Sequence, residues 1–293
     1  MYRGRFAPSP TGRLHFGSLV AALGSWLFAR AANGRWIVRM EDIDHEREVP
    51  GAAADILATL SAFGLQSDEP VVFQSARTEL YKAARDRLAA AGHVYRCWCS
   101  RSDLEPYGGI HPAECVAHET TRPPAWRVRV YGEIRTFADA IQGTTTQHLA
   151  RTAGDFVIWR ADTGCAYQLA VVVDDAAQGV TDIVRGADLL DSTPRQMWLQ
   201  HLLGLPHPRY AHLPLVLGAD GRKLSKHTAA LPVDAHDPLP ALCTALRFLG
   251  QAPAACHTPH ALLAHAVRAF DARAISHATS TPAPFVALRK DVC

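Results

Sequence analysis

The start of the chain constrains the fold most, because a loop rich in proline and glycine separates a short strand from a long helix. The predicted elements are a strand at residues 2–7, a helix at 15–32, a strand at 36–40 and helices at 50–63 and 75–91. Hydrophobic periodicity and the residues that begin and end helices support these assignments. This alternation is typical of an α/β fold with a parallel, doubly wound sheet.

The pattern changes after residue 93. Residues 94–152 are rich in Cys, Pro, Gly and Thr, so we interpret them as an insertion between two halves of a nucleotide-binding fold. The α/β pattern resumes at residues 155–159, continues through 169–173, and includes a predicted helix at 192–203 with Ser192 as its cap. The predicted regions are a first half (1–93), an inserted subdomain (94–152), a second half (153–234) and a small helical C-terminal region (235–293).

A phosphate-binding end is predicted where the first strand meets the first helix. The segment there reads Pro-Ser-Pro-Thr-Gly-Arg-Leu-His-Phe-Gly-Ser, residues 8–18. A helix N-terminus offers free N–H groups and a partial positive charge to a phosphate. Gly17 allows close approach of a nucleotide to the backbone, and His15 can donate a hydrogen bond to a phosphate oxygen. Taken alone, the segment is explained equally well by a loop that only caps a helix.

A second candidate for phosphate binding is the basic segment at residues 221–227. It reads Gly-Arg-Lys-Leu-Ser-Lys-His, with cations at Lys223 and Lys226 and a hydroxyl at Ser225. Such a segment suits a mobile loop that closes on a polyphosphate. The alternative is an exposed basic turn.

A metal site is predicted from three cysteines and a histidine that lie close together in the sequence. The spacing is Cys-x-Cys-x11-His-x3-Cys, from Cys97 and Cys99 to His111 and Cys115. Four such ligands suit tetrahedral zinc, and the alternative is buried or incidental thiols. The chain has an odd number of cysteines, seven, which argues against a disulfide scaffold and favours a reducing compartment.

Composition excludes several classes of protein. Hydrophobic residues make up 48% of the chain and charged residues 20%, which indicates a folded globular protein rather than a disordered one. No apolar run reaches the length of a membrane span, and the N-terminus lacks the apolar core of a signal peptide. We therefore expect a cytoplasmic protein without a membrane partner. The net charge of +2 says little about partners.

The two phosphate-binding candidates together resemble the HIGH and KMSKS signatures of class I aminoacyl-tRNA synthetases. Residues 6–12, 39–44 and 179–190 resemble the glutamyl branch of that class. Only residues 228–293 follow the second signature, which is too short for the large anticodon-binding part of ordinary glutamyl enzymes. With the cysteine cluster, the chain resembles the glutamyl-Q tRNA(Asp) synthetase family.

The resemblance implies a fold and an activity. The implied fold is a Rossmann-like parallel sheet with an inserted, zinc-containing subdomain of the acceptor-binding type and a short helical C-terminal region. The implied activity is ATP-dependent activation of L-glutamate without tRNA, followed by transfer of glutamate to queuosine at the wobble position of tRNA(Asp). Its partners are ATP with Mg²⁺, L-glutamate and tRNA(Asp) carrying queuosine, and we expect a monomer.

The resemblance also implies site residues. The glutamate contacts are Arg5, Phe6, Ala7, Pro8, Ser9, Glu41, Tyr167 and Arg185. The ATP contacts are His15, Gly17, Lys223, Ser225 and Lys226, with His15 and Lys226 as the catalytic donors. The chemistry agrees, because arginines can pair with carboxylates and a glutamate can hold an ammonium group.

Two of the glutamate contacts also have structural alternatives. Tyr167 could be plain core packing, and Arg185 could form a salt bridge with Asp182 or Asp188. Four charged residues near the second strand could form a supporting ion-pair network rather than bind ligands: Arg39, Asp42, Asp44 and Arg47.

Two questions stay open at this point. In the family the zinc is structural, and a tyrosine often stands where this chain has His111, so either His111 or Tyr107 is the fourth ligand. Two other functions also remain: an ordinary glutamyl-tRNA synthetase that charges a tRNA 3′ end, and a retired synthetase that only binds RNA.

Overall fold

The computed structural model describes residues 1–112, 114–117, 123–218 and 233–282. Its strands are β1 (Arg3–Phe6), β2 (Arg35–Met40), β3 (Val72–Phe73), β4 (Val94–Cys97), β5 (Ala125–Val128), β6 (Ile134–Asp139), β7 (Gly143–His148), β8 (Phe156–Arg160), β9 (Gly164–Cys165), β10 (Asp182–Gly186), β11 (Arg209–Leu213), β12 (Leu215–Leu217) and β13 (Ser280–Pro282). Its helices are α1 (Phe16–Ala31), α2 (Ala52–Ala62), α3 (Thr78–Ala90), α4 (Arg101–Leu104), α5 (Leu149–Thr152), α6 (Tyr167–Ala177), α7 (Thr193–Leu202), α8 (Pro238–Phe248) and α9 (Pro259–Ala269).

The main sheet has the strand order β3-β2-β1-β10-β11-β6-β7. All neighbouring strands in it are parallel except β6 and β7, which form an antiparallel hairpin. The predicted parallel, doubly wound sheet is therefore confirmed. The chain runs from β1 to one side through β2 and returns to the other side through β10. A crevice for ligands is expected at such a reversal, outside the carboxyl ends of the strands.

A second, antiparallel sheet contains β4, β5, β8 and β9 in that order. The strands of this sheet do not coincide with the predicted inserted segment, residues 94–152. The hairpin β6–β7 lies within those limits but extends the main sheet, because Asp139 at the end of β6 pairs with Tyr210 in β11. Strands β8 and β9 lie beyond residue 152 but complete the second sheet.

Helix α1 connects the main sheet to the C-terminal helices. Its buried residues Leu19, Leu23 and Leu27 follow the four-residue spacing of one helix face. These side chains share one hydrophobic core with Leu242 of α8 and Leu262 of α9. The helical stretch predicted near residues 238–249 is thus present, and it packs against the helix that begins the nucleotide-binding half.

The apolar run at residues 169–173, through which the α/β pattern was expected to continue, lies inside α6. One local detail differs from the sequence analysis. Ser192 immediately precedes α7, as predicted, but its side chain does not cap the helix. Its hydroxyl instead accepts a hydrogen bond from Gln168 Nε2 over 3.1 Å.

In the part of the chain that the structure describes, we find no helix with the length and apolar character needed to cross a bilayer.

Candidate active site

A cavity of about 580 Å³ lies at the crevice where β1, β2, β10 and β11 end. Its lining includes every predicted glutamate contact and the two predicted ATP contacts that the structure describes: Arg5, Phe6, Ala7, Pro8, Ser9, His15, Gly17, Glu41, Tyr167 and Arg185. The other predicted ATP contacts, Lys223, Ser225 and Lys226, lie outside the described residues. One cavity therefore joins the predicted phosphate end to the predicted amino-acid end.

The phosphate end of the cavity is the N-terminus of α1. His15 is the N-cap residue of this helix, and its Nδ1 accepts a hydrogen bond from the Ser18 backbone N–H over 3.3 Å. With Nδ1 accepting, Nε2 carries the proton and lies 3.0 Å from the Ser18 hydroxyl. His15 thus caps the helix and lines the cavity at once, so the two alternatives drawn from the sequence are not exclusive.

The charge of Arg5 is balanced inside the protein. Its Nε and Nη2 donate to the two carboxylate oxygens of Asp175 over 3.1 and 3.4 Å, and both side chains are buried. Asp175 also pairs with Arg39 Nη1 at 2.9 Å. Burial alone would raise the pKa of Asp175, but the charges of Arg5 and Arg39 outweigh it and hold that pKa below its usual range.

Arg39 belongs to a wider buried network, since it also faces Asp174 at 3.7 Å and Glu41 at 3.4 Å. This network differs from the one considered in the sequence analysis, because Asp44 pairs with Arg47 at 2.6 Å and Asp42 accepts hydrogen bonds from Ser75. Sequence reasoning did not find Asp174 and Asp175. The available signal was a pair of acidic residues placed directly after the apolar run 169–173, because a helix that buries this run buries the carboxylates too.

Glu41 directly follows the last residue of β2, and its buried side chain lines the cavity. Burial raises the pKa of Glu41 above the ordinary glutamate value, although the positive charges of Arg39 and Arg5 oppose the rise. A buried carboxylate of this kind gains from a cationic ligand.

Arg185 has very different surroundings from Arg5. It is 5% exposed, and its hydrogen bonds go to neutral acceptors: His212 Nε2 at 3.1 Å, Thr193 Oγ1 at 2.8 Å, the Leu189 carbonyl at 3.3 Å and the Tyr167 hydroxyl at 3.5 Å.

The salt bridge considered for Arg185 in the sequence analysis is not formed. Asp182 pairs with Arg209 at 2.7 Å, and within the described ranges no ion pair joins Arg185 to Asp188 or another carboxylate. A buried guanidinium without a counter-charge favours an anionic ligand.

The cysteine and histidine side chains predicted as metal ligands converge. The ligand atoms of Cys97, Cys99, His111 and Cys115 all lie within 4.8 Å of one another. His111 Nε2 is 3.3 Å from Cys97 Sγ and 3.7 Å from Cys115 Sγ. Tetrahedral zinc, with Zn–S about 2.3 Å and Zn–N about 2.0 Å, would separate such atoms by about 3.5 Å. The donor set and spacing therefore fit zinc.

His111 is held in the orientation that a ligand needs. Its Nδ1 lies 2.7 Å from the Pro112 carbonyl and 3.2 Å from the Tyr95 hydroxyl. A proton on Nδ1 leaves Nε2 free to face the cysteines. Tyr107, the other candidate, is 49% exposed. This geometry favours His111 as the fourth ligand.

The fold and the cavity are those expected of a nucleotide-dependent α/β enzyme. The amino-acid end of the cavity suits a zwitterion that carries an additional negative charge. The chain matches the family model "tRNA synthetases class I (E and Q), catalytic domain" over residues 1–259. The chain belongs to this family, and it is an ATP-dependent ligase of the class I aminoacyl-tRNA synthetase type.

Individual relatives show which members of the family this chain is similar to. The chain is 58% identical over 286 residues to a protein from Xanthomonas campestris named glutamyl-Q tRNA(Asp) synthetase, covering 96% of each chain. It is 58% identical over 251 residues to a protein of the same name from Pseudomonas entomophila, covering 85% of each chain. A crystal structure of a glutamate tRNA ligase from Elizabethkingia meningosepticum has the same fold, with a TM-score of 0.78 at 24% identity, covering 96% of this chain and 67% of that one.

Proposed function

We propose that this enzyme activates L-glutamate with ATP in the absence of tRNA and then transfers the glutamyl group to queuosine at the wobble position of tRNA(Asp). The observation that carries the proposal is that one cavity links the N-terminus of α1 to the predicted glutamate contacts Arg5, Glu41, Tyr167 and Arg185. The printed name of the relatives supports the choice of tRNA acceptor over an ordinary 3′-end charging reaction. A tRNA substrate implies work in the cytoplasm.

The charges in the pocket suggest how glutamate lies. Tyr167, Arg185, Glu41 and Arg5 all line one cavity, and burial raises the pKa of the Tyr167 hydroxyl. Arg185, assisted by Tyr167 and Arg5, would hold the side-chain carboxylate. Glu41 would hold the ammonium group. The α-carboxylate then points toward His15, where ATP would lie.

The proposed reaction is attack of the α-carboxylate on the α-phosphorus of ATP, with loss of pyrophosphate and formation of glutamyl-adenylate. Free N–H groups at the start of α1, with His15 and Lys226, would stabilise the charge that develops on the phosphates. Mg²⁺ bound with ATP supplies further charge neutralisation on the leaving phosphates. No protein base is needed, because the attacking carboxylate is already ionised at neutral pH.

We also propose that Cys97, Cys99, His111 and Cys115 hold one structural zinc ion. The four side chains tie the end of β4 to the segment that leads to residue 117. Zinc would stabilise this fold locally and take no part in the reaction.

The acceptor would reach the adenylate through a second cavity. This cavity, of about 770 Å³, shares Tyr167 with the first, and its lining includes Arg101 and Arg160. Cationic side chains of this kind suit the phosphates of an RNA loop. A nucleoside hydroxyl that enters here would meet the glutamyl end of the adenylate.

The test is transfer of labelled glutamate to purified tRNA(Asp) that either carries or lacks queuosine. We expect labelling of the queuosine form alone, with tRNA(Glu) as a second negative control. Labelling of tRNA(Glu), or equal labelling of both tRNA(Asp) forms, would establish 3′-end charging instead. Binding of tRNA without any labelling would favour the RNA-binding module.

A further inference from the structure

Next to Arg185 lies a buried polar cluster whose members do not line the cavity and which the proposed reaction does not use. Its members are Asp139 at the end of β6, His212 in β11 and Thr193 at the start of α7. All three are buried, with His212 and Thr193 fully so. Burying polar groups costs free energy unless they form hydrogen bonds. The hydrogen-bond partners of these residues therefore indicate the role of the cluster.

The cluster forms a chain of hydrogen bonds that ends at the glutamate pocket. Asp139 Oδ2 lies 2.6 Å from His212 Nδ1. His212 Nε2 lies 3.1 Å from Arg185 Nε, and Arg185 Nη1 lies 3.5 Å from the Tyr167 hydroxyl. The series Asp139–His212–Arg185–Tyr167 therefore connects the β6–β7 hairpin to the cavity.

The donor groups in this series of hydrogen bonds determine where the ring proton of His212 lies. Arginine nitrogens only donate, so Nε2 of His212 must accept the hydrogen bond from Arg185 Nε. The ring proton is then on Nδ1 and points to Asp139. His212 is therefore neutral, in the Nδ1–H form.

The charges around the pair agree with this assignment. Burial lowers the pKa of His212 below its usual value, and the charges of Arg185 and Arg5 lower it further against the pull of Asp139. Burial would raise the pKa of Asp139, but its hydrogen bonds from His212 and from the Gln142 and His212 backbone lower it to about 2. The carboxylate stays ionised and the imidazole stays neutral.

We propose that Asp139 and His212 are positioning residues that orient Arg185 for the side-chain carboxylate of glutamate. The inference rests on the glutamate pocket proposed above. The neutral imidazole holds the Nε edge of Arg185 without neutralising its charge. A carboxylate at the same place would pair with the guanidinium, as Asp175 does with Arg5.

The substitution Asp139→Asn tests the orientation without dismantling the fold. Oδ1 of Asp139 accepts the backbone N–H groups of Ile141, Gln142 and His212, and an amide oxygen in this position keeps all three bonds. The amide nitrogen then replaces Oδ2 and donates to His212 Nδ1. The ring proton must move to Nε2, where it faces the N–H of Arg185, donor against donor.

A pair of substitutions at His212 separates hydrogen bonding from packing. In His212→Gln, an amide oxygen accepts from Arg185 while the amide nitrogen donates to Asp139. His212→Leu fills space but makes neither bond. Tyr210→Phe is the matched control, because Tyr210 stacks on His212 and its hydroxyl bonds only to Gln200 among the described residues.

The measurement is equilibrium binding of L-glutamate and of ATP to the purified full-length variants, with folding checked by near-ultraviolet circular dichroism. For Asp139→Asn and His212→Leu we expect the Kd for glutamate to rise by about 10-fold or more, and the Kd for ATP to stay unchanged. His212→Gln should restore most of the glutamate affinity, and Tyr210→Phe should bind as the parent protein does.

Two results would overturn the inference: unchanged glutamate affinity in folded Asp139→Asn, or equal affinity in the Gln and Leu variants. If His212→Leu does not fold, Asp139→Asn against His212→Gln decides the matter. The parent protein reports on the proposed function separately. Failure of the parent to bind glutamate removes the pocket itself, whereas failure to label tRNA(Asp) leaves the positioning role intact.

Discussion

Arg5 and Arg185 line the same cavity, but only the charge of Arg5 is balanced by a buried carboxylate. Arg5 is paired through two nitrogens with Asp175, which is itself shared with Arg39. Arg185 contacts neutral acceptors, among them His212. Sequence gives both residues the same potential role, but a buried guanidinium without a counter-charge attracts an anion more strongly than a neutralised one. We therefore propose that Arg185 is the main anchor for a carboxylate and that Arg5 mainly stabilises the site.

Glutamate binding should show the largest difference. In Arg185→Leu the Kd for glutamate should rise by about 100-fold or more, since loss of one partner of a buried charge pair costs about 2–5 kcal/mol. The loss from Asp175→Asn should be smaller, because Arg185 keeps its environment. Calorimetric titration with L-glutamate measures both, and a greater loss in Asp175→Asn would reverse the comparison.

Folding stability should show the opposite order. Removing Arg5 leaves Asp175 buried with only Arg39 as a partner, so Arg5→Leu should lower the free energy of unfolding by about 3 kcal/mol. Arg185→Leu should change it by less than about 1 kcal/mol, because a buried unpaired charge is removed along with its hydrogen bonds. Urea denaturation of the two variants side by side gives both values. Equal destabilisation would mean that the two charges are balanced alike.

The metal centre should affect stability without affecting the pocket. We expect about one zinc per chain by atomic emission, and loss of it in the double substitution Cys99→Ser, Cys115→Ser. Glutamate affinity should remain close to that of the parent, because Cys97 lies in the second sheet and Arg185 in the main sheet, and none of the four ligands lines the first cavity. Substitution of Cys256, which is outside the cluster, is the matched control. Full zinc occupancy in the double variant would contradict the assignment.

The smallest expected effect is on the pH dependence of glutamate binding. Only the ionised form of Glu41 attracts the ammonium group, so affinity should fall as the pH drops through the pKa of Glu41. Because that pKa is raised, the loss should begin above the ordinary value of about 4.3. Profiles of kcat/KM for glutamate, with ATP saturating, show the midpoint. A midpoint at or below the ordinary value would remove Glu41 as the ammonium partner.

The sequence predicted which residues line this cavity because they lie in short, continuous segments. These segments are the strand-to-helix turn before α1 and the ends of β1, β2 and β10. Parallel strands bring their carboxyl ends together, so these segments met in one cavity as expected.

The partners of the arginines could not be found in the same way. Asp175 reaches Arg5 because α6 brings it there from a distant part of the chain, and Asp139 reaches His212 because β6 leaves the predicted insertion and joins β11. Such contacts link residues far apart in the chain, and no spacing rule reports them. Residues 219–232, which include the predicted Lys223 and Lys226, lie outside the described part, so the roles of these lysines stay predictions.

In the proposed mechanism, one cavity joins glutamate to AMP before any RNA arrives. The decisive measurement is exchange of labelled pyrophosphate into ATP, in the presence of glutamate and Mg²⁺ and without tRNA. We predict exchange that depends on glutamate and is unchanged when tRNA is added. Exchange that appears only after tRNA is added, or never, would contradict it.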